Sequence, residues 1–185
     1  TEVNNLNTAR YAPRGSGTQT SALAFGGTAT PGTTKDETEL WNGTNWTEVN
    51  DLTRGAGNVG GSAGASNTAA LAFGNEATEL WNGTNWTEVN DLNTDRNDLS
   101  GVGTSTDAFG IGGTSAAPAA VTLTEKWNGT NWTEVADLNT AITGGGGAGT
   151  TAGALAFGGF NPPPVSTVAE IFTQGSTSTV TFTTD

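Results

Sequence analysis

Hydrophobic positions in this chain come in short bursts separated by glycine and asparagine, and no segment carries a helical apolar period of useful length. "ALAF" at 22–25, "TELW" at 38–41 and "NWTEV" at 45–49 make one set. Segments this short, with aromatic and β-branched residues and Gly or Asn-Gly boundaries, predict strands. The set then returns. "ALAFGG" at 22–27 is followed by "ALAFGN" at 70–75, "AFGIGG" at 108–113 and "ALAFGG" at 154–159. Glu39, Glu79, Glu125 and Glu170 each stand two residues before an aromatic, 40 to 46 residues apart. Stretches rich in glycine and threonine, "GSGTQT", "GASNTA", "GVGTST" and "GAGTTA", lie just upstream of each hydrophobic burst.

Four short strands repeating with this period predict an all-β fold, a β-propeller with one blade per repeat. The blades fall at about 7–50, 51–90, 91–136 and 137–185, with an N-terminal strand at 1–6, in a single domain spanning 1–185. The strands of each blade are, in order, the Gly/Thr stretch (a), "ALAFGG" (b), "TELW" (c) and "NWTEV" (d). Small residues belong on the crowded inner strand, and the bulky indoles further out where blades diverge. Strand d has five candidates, because "TEV" at 1–3 and "STVTF" at 178–182 flank the three Trp-led copies. Ring closure is expected to combine the two termini, with the N-terminal segment as the outer strand of the fourth blade. A C-terminal outer strand and a larger ring built from several chains are the alternatives.

The dodecamer "WNGTNWTEVNDL" occurs at 41–52 and 81–92, and as "WNGTNWTEVADL" at 127–138. Its Asn-Gly step suits a tight hairpin. All 6 tryptophans lie in these copies, as the pairs Trp41/Trp46, Trp81/Trp86 and Trp127/Trp132. Packing between blades is the first expectation, with Trp46, Trp86 and Trp132 as structural residues. Trp41, Trp81 and Trp127 are the candidates for sugar stacking. The doubled N-x-T triplets at Asn42, Asn45, Asn82, Asn85, Asn128 and Asn131 predict turn chemistry rather than glycosylation. The pairs Gly26–Gly27, Gly112–Gly113 and Gly158–Gly159 are assigned structural roles after strand b.

The order of glycine pair, Glu and aromatic, a Trp five residues on, then Leu and Arg resembles the kelch motif. It reads "FGG…ETELWNGTNWTEVNDLTR" from Phe25 to Arg54 and recurs to Arg96; the third copy lacks the Arg. The second copy has Asn75 for the second Gly, and the fourth has Phe172 where the others have Trp. The likeness covers nearly the whole chain and implies kelch-like blades without implying an activity. Kelch propellers usually carry five to seven blades, against four here. The Asn/Thr/Gly-rich wording is similar to repeat proteins encoded by marine bacteriophages and their hosts, which implies a virion-associated or extracellular setting.

Composition narrows the chemistry. The net charge of −12, from 6 basic and 18 acidic residues, disfavours nucleic acid and anionic membranes as partners. Cys, His and Met are absent. That removes thiolate and imidazole nucleophiles and most transition-metal sites, so no cofactor, no metal and no enzymatic activity are expected. The missing initiator Met predicts a processed, trimmed or excerpted product, and the partner expectation is a monomer or part of a larger multi-repeat protein. The loops between strands b and c vary most: 28–37, 75–77, 114–123 and 160–167. Variable loops on a constant scaffold are a usual place for recognition. With the d-to-a crossings they predict a binding face carrying Asp51, Arg54, Asp91, Arg96 and Asp137, for a protein or glycan ligand. Asp91, Asp95 and Asp98 lack the ligand spacing of a calcium loop, and "GGGGAG" at 144–149 leads into a strand rather than a phosphate-binding helix. The leading functional expectation is a structural or recognition module, with a carbohydrate-binding propeller and an oligomerising propeller fragment as alternatives.

Overall fold

The computed structural model describes residues 2–53, 59–75, 77–115, 119–160 and 165–173, and the backbone of 180–181. Among these residues every regular element is a strand. Blade 1 contains β1 (Arg14–Thr18) and β2 (Ser21–Phe25), a small hairpin of β3 (Thr28–Ala29) and β4 (Thr33–Thr34), then β5 (Thr38–Trp41) and β6 (Trp46–Val49). Blade 2 is β7 (Gly61–Ser66), β8 (Ala69–Phe73), β9 (Thr78–Trp81) and β10 (Trp86–Val89). Blade 3 is β11 (Ser100–Gly103), β12 (Ala108–Ile111), β13 (Thr124–Trp127) and β14 (Trp132–Glu134). Blade 4 is β15 (Gly146–Thr150), β16 (Gly153–Phe157), β17 (Ala169–Thr173) and β18 (Val180–Thr181). Each blade is a four-stranded antiparallel sheet with its strands in chain order, and together they are arranged as a four-bladed β-propeller.

The inner strands β1, β7, β11 and β15 pack in succession, each on the next. Their small side chains are a steric necessity. A Cβ on Gly101 of β11 would collide with the backbone of Ser62 in β7, so only glycine admits that approach.

Side chains alternate across each sheet, which gives every blade a leading side toward the next blade and a trailing side toward the previous one. In blade 1 the leading side carries Leu23, Phe25, Leu40 and Val49, which pack with Ala70, Ala72, Trp81 and Trp86 from the trailing side of blade 2. Leu52 and Val59, on the connection between the two blades, complete that core. Leu71, Phe73 and Leu80 meet Ala108, Trp127 and Trp132 in the same way between blades 2 and 3. Phe109 and Ile111 meet Ala154, Ala156 and Phe172 between blades 3 and 4. The hydrophobic core is therefore three inter-blade layers.

The indoles hold those layers together. Within each pair they lie directly across the c–d hairpin with ring centroids 5.3, 5.4 and 5.5 Å apart. Trp86 sets its ring edge-to-face against Phe25 at 4.8 Å, and its Nε1 donates to the Thr38 hydroxyl of the preceding blade. Trp132 repeats both contacts with Phe73 and Thr78. Trp46, the equivalent in blade 1, is only half-buried.

The termini differ from the expected closure. The outer strand of blade 4 is C-terminal β18, paired with β17, and residues 2–6 form no strand. No packing like that between successive inner strands joins β15 back to β1. The reason lies in what holds the N-terminal segment. Asn4 Nδ2 donates to Thr44 O and Asn45 Oδ1 of blade 1, as Asn50 does to Thr84 and Asn85 of blade 2, and Asn90 to Thr130 and Asn131 of blade 3. The segment thus behaves as an incoming blade connection and is bound to blade 1 rather than to blade 4.

Replacing Trp86 or Trp132 by Ala removes a buried indole from an inter-blade layer and is expected to destabilise by about 3–5 kcal/mol. Trp46→Ala, at the half-buried equivalent, is expected to lose clearly less. Urea denaturation of the three variants checks the contrast.

Candidate functional site

The repeated charged residues gather at the connections between blades. Glu39, Glu79, Glu125 and Glu170 are all essentially buried, at 0–2% exposure. Each sits on the third strand of its blade and receives the segment that leads into that blade's first strand. Glu79 accepts the Thr53 N–H and hydroxyl at 2.8 and 2.7 Å. Glu125 accepts the N–H groups of Asn93 and Thr94, and Glu170 those of Asn139 and Thr140. Glu39 does the same for Asn7 and Thr8. A buried carboxylate needs such donors, because taking it from water unpaired is prohibitively costly.

Among the described residues, arginines pair with Glu39 and Glu125. Arg96 Nη2 lies 3.0 Å from Glu125 Oε1, while its Nη1 donates to the carbonyls of Gly112 and Leu123 at 2.7 and 2.6 Å. Arg10 pairs with Glu39 at 3.0 Å and donates to Glu37 O. Burial pushes the Arg96 guanidinium below its ordinary value, and Glu125, Asp137 and Glu134 oppose that shift. Arg96 is fully enclosed. Its place in the expected binding face is therefore corrected: it is an internal counter-ion to Glu125, out of reach of a surface ligand. Arg54, another member of that set, lies outside the described residues.

The three aspartates serve the strands they follow. Asp51, Asp91 and Asp137 accept the first N–H of the third strand, from Thr38, Thr78 and Thr124, at 3.0, 2.6 and 3.1 Å. Each fastens the outgoing chain to its own blade just before the next glutamate captures it.

Trp41, Trp81 and Trp127 are also committed internally. They are 6, 1 and 0% exposed, and each Nε1 donates to a carbonyl in the first turn of its blade, at Gln19, Asn67 and Ser105. Burial to this degree leaves no ring face on which a sugar could stack. The neighbouring asparagines form the turn: Asn42 Oδ1 accepts from the N–H groups of Thr44 and Asn45, both at 2.9 Å, and Asn82 and Asn128 repeat it.

The paired glycines admit the arriving connection. Gly113 has φ +98°, and a Cβ there would lie 2.5 Å from Asn97 O. Gly26, Gly27, Gly112, Gly158 and Gly159 also have positive φ. Asn75, which replaces one of them, adopts φ 57°, a value asparagine tolerates better than most residues. Just beyond each pair the connection bridges the next residue, Tyr11 to Thr28, Asn97 to Thr114 and Thr143 to Phe160.

Several exposed apolar side chains lie beside those bridges. Tyr11, Phe160 and Val165 are 58, 45 and 73% exposed, and Phe160 bridges Val165. The β3–β4 hairpin projects beside Tyr11 with an exposed tip at 30–34. Between blades 2 and 3 a cleft of about 300 Å³ is lined by Gly74, Ala77, Asp91, Leu92, Asn93 and Asp95. Among the described residues no group of three or more acidic side chains has metal-holding geometry. Exposed Phe160 and Val165 fall in the variable loop 160–167 expected on the binding face, whereas Tyr11 was not singled out by the repeat text.

Fold and surface together define a β-propeller whose repeated residues are used for its own assembly. No family model and no curated protein matches the chain.

Replacing Glu125 by Ala would strand the Arg96 charge in the interior, and breaking a buried pair from one side costs about 3–5 kcal/mol. Glu125→Ala is therefore expected to be far less stable than Glu134→Ala on the exposed outer strand, measured by equilibrium denaturation. Arg96→Met combined with Glu125→Leu should recover part of the loss.

Proposed function

We propose that the chain is a non-enzymatic, kelch-like β-propeller of the kind carried by marine bacteriophages and their hosts. It acts as a structural and recognition module on a virion or cell surface. Its binding face is the side bearing the loops between the second and third strands, with Tyr11, Phe160, Val165 and the β3–β4 hairpin as its described parts. One observation carries this reading. The repeated Trp, Glu, Asp and Asn side chains make bonds within or between blades, so the chemistry left for a ligand is concentrated where the copies differ. The kelch-like assignment is supported by the fixed order of glycine pair, Glu, aromatic and Trp, and the surface setting by the −12 charge and the repeat wording.

Carbohydrate recognition is a second reading, favoured by the cleft where Asp91, Asn93 and Asp95 of the blade 2 to blade 3 connection meet Gly74 and Ala77. Its volume of about 300 Å³ is at the lower end for a small-ligand pocket. A glycan would contact Asn93 and Asp95 there rather than the enclosed indoles.

The test is an array of glycans and surface proteins probed with the purified chain. Hits are expected to weaken at least about tenfold when Tyr11 and Phe160 are both changed to Ser, or when 28–37 is exchanged for the short 75–77 link. Binding unchanged by both alterations would overturn the assigned face. Glycoside turnover lost on a single Asp or Glu substitution would overturn the non-enzymatic reading.

A further inference from the structure

Among the described residues, the three inter-blade layers leave two sides without a packed partner: the trailing side of blade 1 and the leading side of blade 4. Their residues are those buried at every internal junction. Phe157 corresponds by strand register to Phe25, Phe73 and Ile111, since the four stand opposite Ala169, Thr38, Thr78 and Thr124. The three internal residues are 0–1% exposed, whereas Phe157 is 42% exposed. Leu155 on the same side is half-buried, while its counterparts Leu23, Leu71 and Phe109 are 0–5% exposed. At the other end, Trp46 corresponds to Trp86 and Trp132. It borders an open hollow of about 560 Å³ against blade 1, lined also by Leu6, Pro13, Ala22 and Ala24.

We propose that these sides are the two halves of one more blade junction, and that a second copy of this chain supplies the partner. Blade 4 of one copy docks its leading side on the trailing side of blade 1 of the other, with Phe157 against Trp46 as Phe25 lies against Trp86. The occupant follows from continuity with an interface that recurs three times within the chain, where a Phe or Ile on one blade meets aromatic residues of the next. One contact differs. Ala169 stands where Thr38 and Thr78 receive an indole N–H, so this junction is apolar at that point. Each copy offers one side of each kind, so the contact is head to tail, and it gives a closed dimer where the rotation between copies closes. The inference does not depend on the recognition face proposed above, which lies on the loops rather than between blades.

Sedimentation equilibrium of the purified chain tests this, in about 0.3 M NaCl so that repulsion between two acidic copies is screened. The expected result is a concentration-dependent species of twice the 18.6 kDa chain mass. Trp46→Glu and Phe157→Glu should each raise the dissociation constant about 30-fold or more, the usual effect of removing an aromatic anchor. Mixing the two variants should restore a dimer, because each keeps the side the other has lost. Circular dichroism melts establish that each variant is folded, and Phe157→Ser replaces Phe157→Glu if the latter is not. A folded wild-type chain that stays monomeric at about 100 μM, tenfold above a typical assay concentration, would overturn the proposal. So would assembly undiminished by changes at Phe157.

Discussion

A carboxylate taken out of water survives only if donors surround it, and each blade of this protein places one where the chain enters from its neighbour. The backbone N–H groups that satisfy Glu39, Glu79, Glu125 and Glu170 belong to the arriving connection. A blade therefore completes its own hydrogen bonding only after the preceding segment has been laid against it. The position of every blade relative to the next follows from that requirement. Asp51, Asp91 and Asp137 fix the point of departure and the glutamates fix the point of arrival.

The tryptophans act on the same junctions by packing. One indole of each hairpin, Trp41, Trp81 or Trp127, ties the outer hairpin to the first turn of its own blade. In blades 2 and 3 the other indole reaches the previous blade and meets a phenylalanine and a threonine hydroxyl. In a chain with 34% hydrophobic residues, a few large side chains at regular stations replace a continuous apolar core. The dodecamer is repeated because the junction is repeated. The fourth blade departs from that text, and the Thr124 hydroxyl of blade 3, equivalent to Thr38 and Thr78, is buried without a hydrogen-bond partner among the described residues.

Much of this was legible in the residues. Period, glycine steps and strand composition identified four blades and the order of strands within them, and the smallness of the inner strands followed from crowding. Turn chemistry at Asn42, Asn82 and Asn128 was legible because it is local, spanning two or three residues. The site was less so. Arg96 and the three aspartates resembled a charged surface, yet their partners lie 13 to 29 residues away in the chain, and nothing in the local text distinguishes a solvated charge from an enclosed one. The glutamates marked the repeat register without revealing that they bind the incoming backbone. The N-terminal "TEVN" matched a strand end in letters, but Asn4 binds blade 1, so position in space and likeness in text parted there.

Among the described residues of one copy, blades 2 and 3 each pack against two neighbouring blades, and blades 1 and 4 against one. A chain whose units touch only their immediate neighbours has a stability close to a sum of unit and interface terms. In such a stack a blade packed on one side opens before a blade packed on both. The molecule is in this sense a short linear polymer of sheets bent around an axis, its cooperativity limited by its weakest link rather than shared by a single common interior.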